Sequence, residues 1–438
     1  MLRRTKIHAT LGPASASEPV LRRLIEAGLN ACRINFSHAK AEDAEALVRT
    51  IRRLSAEFGK PIAVRQDLQG PRIRIGELRD GRAFLEAGRP FLLTAEPLLG
   101  DSTIASVSYP DLPKDVRPGE IILIDEAAIH LRVEESDGVK IRCEVLVGGE
   151  LLPRKGINLP TTRISMPTLT EKDKADLEAG IRLGVDYVTL SFVRSAEDVL
   201  AARRFIDERG FHIPIVSKIE KREGVINADQ IIGASDGISL SRGDLGLEAG
   251  YQEVYPIQSY YVRKCHEAGK MVQVGGELMD TMIKNPGPTR SECVDVANAV
   301  VQGVDGLSLS GETAMGAYPV QSVEILDRII RRTEVALGYY EGGGDVEPLA
   351  PERYEPVREL WLRGVDALVV ENDVAAVAAL SKARPRCPIV ALVDGPVANW
   401  LNTWWGVCPV PSLAAARKAG IIPPGANILR VSSADLQC

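Results

Sequence analysis

Three side chains in one stretch could do chemistry together. In residues 213–248, IPIVSKIEKREGVINADQIIGASDGISLSRGDLGLE, Lys218 and Glu220 stand two apart at the end of a short apolar run. Side chains two apart on a strand face the same way, so the ammonium and the carboxylate project together. A second apolar run, Ile238–Ser241, empties into Arg242-Gly243-Asp244-Leu245-Gly246, which reads as a loop and brings a second carboxylate at Asp244. Strand ends of a parallel sheet lie side by side, which gathers Lys218, Glu220 and Asp244 about one point. A cation with two carboxylates suits a divalent metal held against a phosphate or carboxylate substrate. Read without chemistry, the same charges form a surface salt-bridge cluster, worth little to stability.

The elements that must position these groups recur along the chain. Strands begin near Lys6, Ala31, Pro61, Tyr187, Ile213, Gly237, Met271 and Gly306, each followed by a helical pattern except where one long segment intervenes. Ser17 reads as an N-cap, and Thr170 with Asp173 as a capping box for a helix running to about Leu183. Eight βα units closing on themselves make a TIM barrel, whose active face is the C-terminal end of its strands. The polar clusters fall there. On the second strand Arg33, Asn35 and Ser37 alternate with Ile34 and Phe36, and His38 closes it. The third ends in Asp67-Leu68-Gln69-Gly70-Pro71, with Arg72 and Arg74 directly after.

Between about Gly76 and Gly156 the texture changes to short alternating segments separated by Gly, Pro and Asp, an all-β pattern. Glu341-Gly342-Gly343-Gly344-Asp345 and the prolines that follow read as a linker. Beyond it, apolar strands at Ala367–Val370, Pro388–Val393 and Asn427–Val431 alternate with helical runs at Ala375–Lys382 and Val397–Trp404. The expected architecture is α/β: a TIM (β/α)8 barrel over 1–75 and 157–340, an inserted small β-barrel lid domain over 76–156, and a shortened three-layer α/β domain over 341–438.

Composition narrows the function. The chain has 438 residues, 45% of them hydrophobic, and a formal net charge of -6. An acidic balance argues against a nucleic-acid or membrane-surface partner, and no run is apolar enough to span a bilayer. The start, MLRRTKIHATLGP, has no apolar core of signal-peptide length, so a cytoplasmic address is expected. Seven scattered cysteines without CxxC spacing read as reduced thiols, with Cys32 and Cys265 in core positions. There is no Gly-x-x-x-x-Gly-Lys-Ser/Thr loop and no Gly-x-Gly-x-x-Gly. A nucleotide would therefore be held by metal and scattered basic groups: Arg33, Arg74, His38 and Lys155.

Ten motifs carry a family resemblance: TLGPAS at Thr10–Ser15, AGLNACRINFSH at Ala27–His38, DLQGPRIRIG at Asp67–Gly76, KGINLP at Lys155–Pro160, SFVR at Ser191–Arg194, SKIE at Ser217–Glu220, SDGISLSRGDLG at Ser235–Gly246, NPGPTRSE at Asn285–Glu292, DVANAV at Asp295–Val300 and LSGETAMGAYP at Leu309–Pro319. In this order they resemble the pyruvate kinase family across the whole barrel. The resemblance implies transfer of the phosphoryl group of phosphoenolpyruvate to ADP, giving pyruvate and ATP through a metal-stabilised enolate. It implies that Glu220 and Asp244 hold Mg2+ or Mn2+, that Lys218 and Arg33 act on the transferring phosphoryl group, and that the Gly243-Asp244 turn receives the substrate carboxylate. Pro13, Arg33, His38, Arg74 and Lys155 would line the nucleotide site. Asn35, Ser37, Asp67 and the Leu68 carbonyl match the family's monovalent-ion site. There Arg72 stands where potassium-dependent members have a glutamate, so potassium independence is expected, with Arg72 replacing the ion. A homo-oligomer is also expected.

The departures from the family are specific. Gly276, at the substrate, replaces a threonine of the proton-delivery network, and Glu277 replaces the glutamine after it. A positioned proton donor is worth roughly 10²–10⁴ in rate. This motivates an alternative, the same metal–enolate chemistry on a bulkier enol phosphate or 2-oxo acid, and beyond it a non-catalytic paralogue. Arg65-Gln66 stands where small or apolar residues are usual, and Asp125-Glu126-Ala127 where the lid has a D-D-G turn. In the last domain, Glu371-Asn372-Asp373-Val374 replaces a serine/threonine-rich effector loop. Its acid repels phosphates, so no activation by a sugar bisphosphate is expected.

Overall fold

The computed structural model describes residues 2–37, 41–339 and 364–436. His38, the expected linker and Cys438 lie outside the described residues. Eight parallel strands close into a barrel in chain order: β1 (Lys6–Leu11), β2 (Ala31–Asn35), β3 (Ala63–Asp67), β4 (Tyr187–Leu190), β5 (Ile215–Ile219), β6 (Gly237–Ser241), β7 (Met271–Gly275) and β8 (Gly306–Leu309). Alternation sorts each strand's side chains. Ile7, Ala9 and Leu11 of β1 join the apolar layer with helix residues Leu21 and Leu24. His8, between them, turns inward and meets the Tyr187 hydroxyl of β4 across the barrel, 3.1 Å from its Nδ1.

The helices start where the sequence places caps. Ser17 precedes the helix Glu18–Glu26, although its side chain makes no capping hydrogen bond. Thr170 and Asp173 form the reciprocal capping box of Glu171–Leu183, which ends on the left-handed Gly184. One expected loop is absent: Arg242–Ala249 is an α-helix that begins directly after β6. Two glycines in eight residues argue against a helix on propensity. Its position behind a barrel strand, with Leu245 fully buried, overrides that preference.

Residues 73–158 carry a seven-stranded sheet packed on its own core, which includes Phe91, Leu93, Ile122, Leu131 and Ile141. The strands Ile73–Arg74 and Gly156–Asn158 pair with each other in this sheet, so the chain leaves and re-enters the barrel through adjacent strands. The return crossing is tied down by Glu248. Its Oε1 accepts from the Asn158 side chain and the Leu159 amide, both at 3.1 Å, while its Oε2 pairs with Lys221 at 2.8 Å.

The last unit is a four-stranded parallel sheet in the order Val407–Val410, Ile389–Leu392, Ala367–Glu371, Ile428–Arg430. The strand Val407–Val410 is not expected from the sequence, because Pro409 breaks its pattern. It is an edge strand, where proline is tolerated. This unit packs on the N-terminal end of the barrel. Ala31, Ala63, Tyr187, Val216 and Met271 share one apolar cluster with Leu368, Leu380, Trp400 and Trp404. The Tyr187 and Trp400 rings stand 5.2 Å apart. Beside this cluster, Asp305 is fully buried between Lys382 and Arg384, the latter at 2.9 Å.

Candidate active site

The C-terminal ends of β2, β3 and β5 bring four charged groups together. Asp67, the last residue of β3, is the pivot. Its Oδ2 accepts from Nε of Arg33 at 2.9 Å, also meets the Arg33 Nη2, and lies 3.5 Å from the Lys218 ammonium. Arg33 is fixed a second time by Nη1 donating to Thr10 Oγ1 at 2.9 Å. Burial alone would push the Asp67 carboxyl up, but the charges of Arg33, Lys218 and Arg65 outweigh it and hold the group well below the usual carboxylate range. Asp67 is thus a permanent anion that orients two cations.

Lys218 and Glu220 project together as their spacing predicts, with Nζ 3.2 Å from Oε1 of Glu220. The other Glu220 oxygen accepts the Phe192 amide at 2.9 Å. Phe192 adopts a left-handed backbone, φ 55, which turns that N–H toward the carboxylate. Ser191, one residue earlier, donates to the Leu68 carbonyl at 2.7 Å, so that carbonyl is already engaged. Burial pushes the Glu220 carboxyl up to about 7; Lys218 opposes this and the neighbouring Asp244 charge adds to it. Two carboxylates are therefore close enough to repel each other in a desolvated position.

Such a pair is stabilised by a bound cation. Among the described residues no three acidic, histidine or cysteine side chains form a ready cage. Magnesium is commonly held by one or two carboxylates, with waters and substrate oxygens completing its shell. Glu220 and Asp244 fit that donor set.

Asp244 lies in the first turn of the helix Arg242–Ala249, not in a loop. The first amides of a helix have no partner within it and favour anions, which suits Gly243 and Asp244 to a carboxylate. A side chain at Gly243 would begin 3.2 Å from the Glu277 carboxylate, which would have to give way. Glu277 is itself left-handed, φ 53, and its carboxyl is raised by partial burial and by Asp280 and Glu126. Gly276, φ 83, gives its carbonyl to the Arg242 guanidinium at 3.1 and 3.2 Å, and Arg242 is held by Asp295 at 2.7 Å. A Cβ on Gly276 would lie 3.1 Å from the amide nitrogens of Arg242 and Gly243. The position has closed around glycine and has not kept a threonine-sized space.

The remaining expected residues divide. Asn35 ends β2, and its side chain accepts the Ser37 amide at 3.1 Å. Arg72 departs from expectation: its guanidinium lies 3.3 Å from Asp244, and no hydrogen bond or ion pair joins it to Asn35, Ser37 or Asp67. It is a long side chain, over a third exposed, and it follows the nearest carboxylate. Lys155 pairs with Asp125 at 2.9 Å, and Arg74 donates to the Arg154 carbonyl at 2.9 Å, so both are engaged within the β unit. Asp125, Glu126 and Ala127 are all left-handed, which lets a turn lacking glycine keep a tight path. Pro13 is exposed between β1 and its helix.

Residues 2–323 match the family described as pyruvate kinase, barrel domain. A pyruvate kinase of Sporosarcina psychrophila is 38% identical over 422 residues, covering 93% of this chain and 72% of the relative. The chain belongs to the pyruvate kinase family. The pyruvate kinase of Clostridium acetobutylicum is also 38% identical, over 421 residues that cover 94% of this chain and 89% of the relative. That of Geobacillus stearothermophilus is 38% identical over 421 residues, with 93% and 71% covered. Within this pyruvate kinase barrel, the structure adds contacts for residues to which the motifs gave no role: Arg65, Thr10, Phe192, and the Arg242–Asp295 pair. Arg65 had a usable signal, since it stands two residues before Asp67 on the same strand.

Proposed function

We propose that the chain transfers the phosphoryl group of phosphoenolpyruvate to ADP, with Lys218 and Arg33 on the transferring group. The observation that carries this is the convergence of the Arg33 guanidinium and the Lys218 ammonium on the single Asp67 carboxylate, beside Glu220. Phosphoryl transfer is mostly positioning and neutralisation of charge. Arg33, locked between Asp67 and Thr10, presents a fixed plane to phosphoryl oxygens. Lys218 presents a point charge that stays with the oxygen left on the substrate and stabilises it as an enolate. The amides of Gly243 and Asp244 hold the substrate carboxylate. Glu220 and Asp244 would hold Mg2+ or Mn2+, which when bound would supply positive charge to offset the anionic substrate. Pro13, Arg33, His38, Arg74 and Lys155 line the ADP site, the last two after release from their present partners.

The test is a coupled assay of phosphoenolpyruvate, ADP and magnesium with the parent and Lys218→Met. Loss of an electrostatic group aimed at developing charge costs about 10²–10³ in kcat. A parent without pyruvate formation, or a Lys218→Met variant as fast as the parent, sinks the assignment.

Finer parts of the reading carry their own supports. Potassium is not required, because Asp67 already faces three cationic side chains. A sugar bisphosphate does not activate, because Asp373 occupies its own helix terminus, accepting the Ala376 amide at 2.9 Å and the Ser433 amide at 2.7 Å; activation in an effector titration would overturn this. The chain works in the cytoplasm, consistent with the absence, among described residues, of a helix long and apolar enough to cross a membrane. It forms a homo-oligomer, supported by exposed Ile226, Tyr255 and Val294; a monomer mass by light scattering would refute that. The division at 1–75 with 157–340, 76–156 and 341–438 is supported by the separate apolar cluster of the seven-stranded sheet. Limited proteolysis cutting first inside these spans would refute it.

A second reading draws on Glu277. Its carboxylate sits against Gly243, where the substrate carboxylate is expected, and the two negative charges repel. That favours the same chemistry on a different enol phosphate or 2-oxo acid. Product analysis over a panel of such compounds separates the readings, with phosphoenolpyruvate as the best substrate deciding for the first.

A further inference from the structure

Two residues below Asp67 on β3 lies a guanidinium with no role in the mechanism above. Arg65 is the third residue of β3, in register with Arg33 of β2 and Tyr187 of β4, and is 3% exposed. Its Nη2 donates to Oδ1 of Asp67 at 3.1 Å. Its Nε and Nη1 have no hydrogen-bond partner among the described residues. A buried charge with one hydrogen bond is costly, and a residue serving only to fill space would not need it. The return for that cost is at Asp67.

Asp67 has two oxygens and three cationic neighbours. Oδ2 faces Arg33 and Lys218, and Oδ1 faces Arg65. Held on both oxygens, the carboxylate cannot turn about its own axis, and the Arg33 plane cannot turn with it. Electrically, Arg65 supplies the charge that balances Asp67 from beneath. Arg33 and Lys218 then keep net positive charge for the phosphoryl group instead of losing it to their anchor.

We propose that Arg65 is a positioning residue of the phosphoryl-transfer site, clamping Asp67 from inside the barrel so that Arg33 and Lys218 are fixed and remain electropositive toward substrate. This rests on the reading of Arg33 and Lys218 as phosphoryl-binding groups. The sequence rule that joins Lys218 to Glu220 also joins Arg65 to Asp67, two residues apart on one face.

The test uses the full chain with phosphoenolpyruvate, ADP and magnesium. Arg65→Met is expected to lower kcat/KM for phosphoenolpyruvate on the order of 10²-fold, the effect of misplacing a catalytic group by about an ångström. KM for phosphoenolpyruvate rises. Arg65→Lys, which keeps the charge, recovers most of the loss. In an Asp67→Asn background Arg65→Met adds little, because its effect passes through Asp67. Arg65→Met with parental kinetic constants and only a lower Tm overturns the proposal, as does a loss that is undiminished in the Asp67→Asn background. Should Arg65→Met fail to fold, Arg65→Gln decides: parental kinetics in that neutral variant also overturn it. A parent that does not turn over phosphoenolpyruvate defeats the underlying reading and this inference with it. An active parent with indifferent Arg65 variants defeats the inference alone.

Discussion

The Arg72 guanidinium lies 3.3 Å from Oδ1 of Asp244, on one of the two carboxylates suited to a divalent cation. A positive side chain at that place limits how much further cationic charge the site needs. The parent is therefore expected to run equally fast in sodium, potassium or tetramethylammonium at constant ionic strength. Arg72→Glu puts a third acid near Glu220 and Asp244, and its rate should become potassium-dependent by roughly tenfold, about 1.4 kcal/mol. Initial rates in the three salts check both statements. Strong potassium activation of the parent would sink them.

Metal affinity should depend on pH through Glu220. Burial, with the Asp244 charge, raises this carboxyl to about 7, and only its ionised form is a ligand. Below that pH a cation must displace a proton, and above it none. The apparent Kd for Mn2+, followed by electron paramagnetic resonance without substrate, should rise roughly tenfold per pH unit on the acid side of about 7 and level off on the alkaline side. An affinity flat from pH 5 to 7 would refute the assignment of Glu220 as ligand, since that range is the acid limb of its titration.

Restoring threonine at Gly276 should not improve the enzyme. The backbone there has φ 83, and a Cβ would meet two amide nitrogens at 3.1 Å. A non-glycine residue in such a conformation costs about 1–3 kcal/mol, and the displaced neighbours are the Gly243 turn and Arg242. Gly276→Thr is expected to be less stable in urea denaturation and slower in the coupled assay. A variant as stable as the parent with a raised kcat would show that the space is more accommodating than this geometry.

Asp305 is the electrostatic tie between the barrel and the last sheet. It accepts the Val272 amide at 2.7 Å as well as pairing with Lys382 and Arg384. Asp305→Ala leaves two buried cations without a counter-charge, and loss of one partner from a buried pair costs about 3–5 kcal/mol. Equilibrium unfolding of the variant measures it. A loss under about 1 kcal/mol, the usual size for surface changes or less, would mean the two cations find other partners.

How much of this was legible depended on range. Lys218 and Glu220 share one strand, so a two-residue period was enough, and the eight βα repeats made the barrel countable. Arg242–Ala249 defied its own composition because packing behind β6 decides its conformation, and packing is not local. Val407–Val410 was hidden by Pro409, whose meaning changes between a central and an edge strand. The partner of Arg72 could not be read at all: a long exposed side chain chooses among carboxylates brought close only by the closed barrel. Arg65 was legible by the same two-residue rule and stood out as an oddity, but the depth of its position beneath Asp67 needed the fold.

The contact of Trp400 with Tyr187 has a further consequence. With Trp404 and Leu368 it covers the N-terminal end of the packed barrel. Cutting away the final sheet would not yield a smaller working enzyme. It would uncork the barrel and wet the floor formed by Ala31, Ala63, Val216 and Met271.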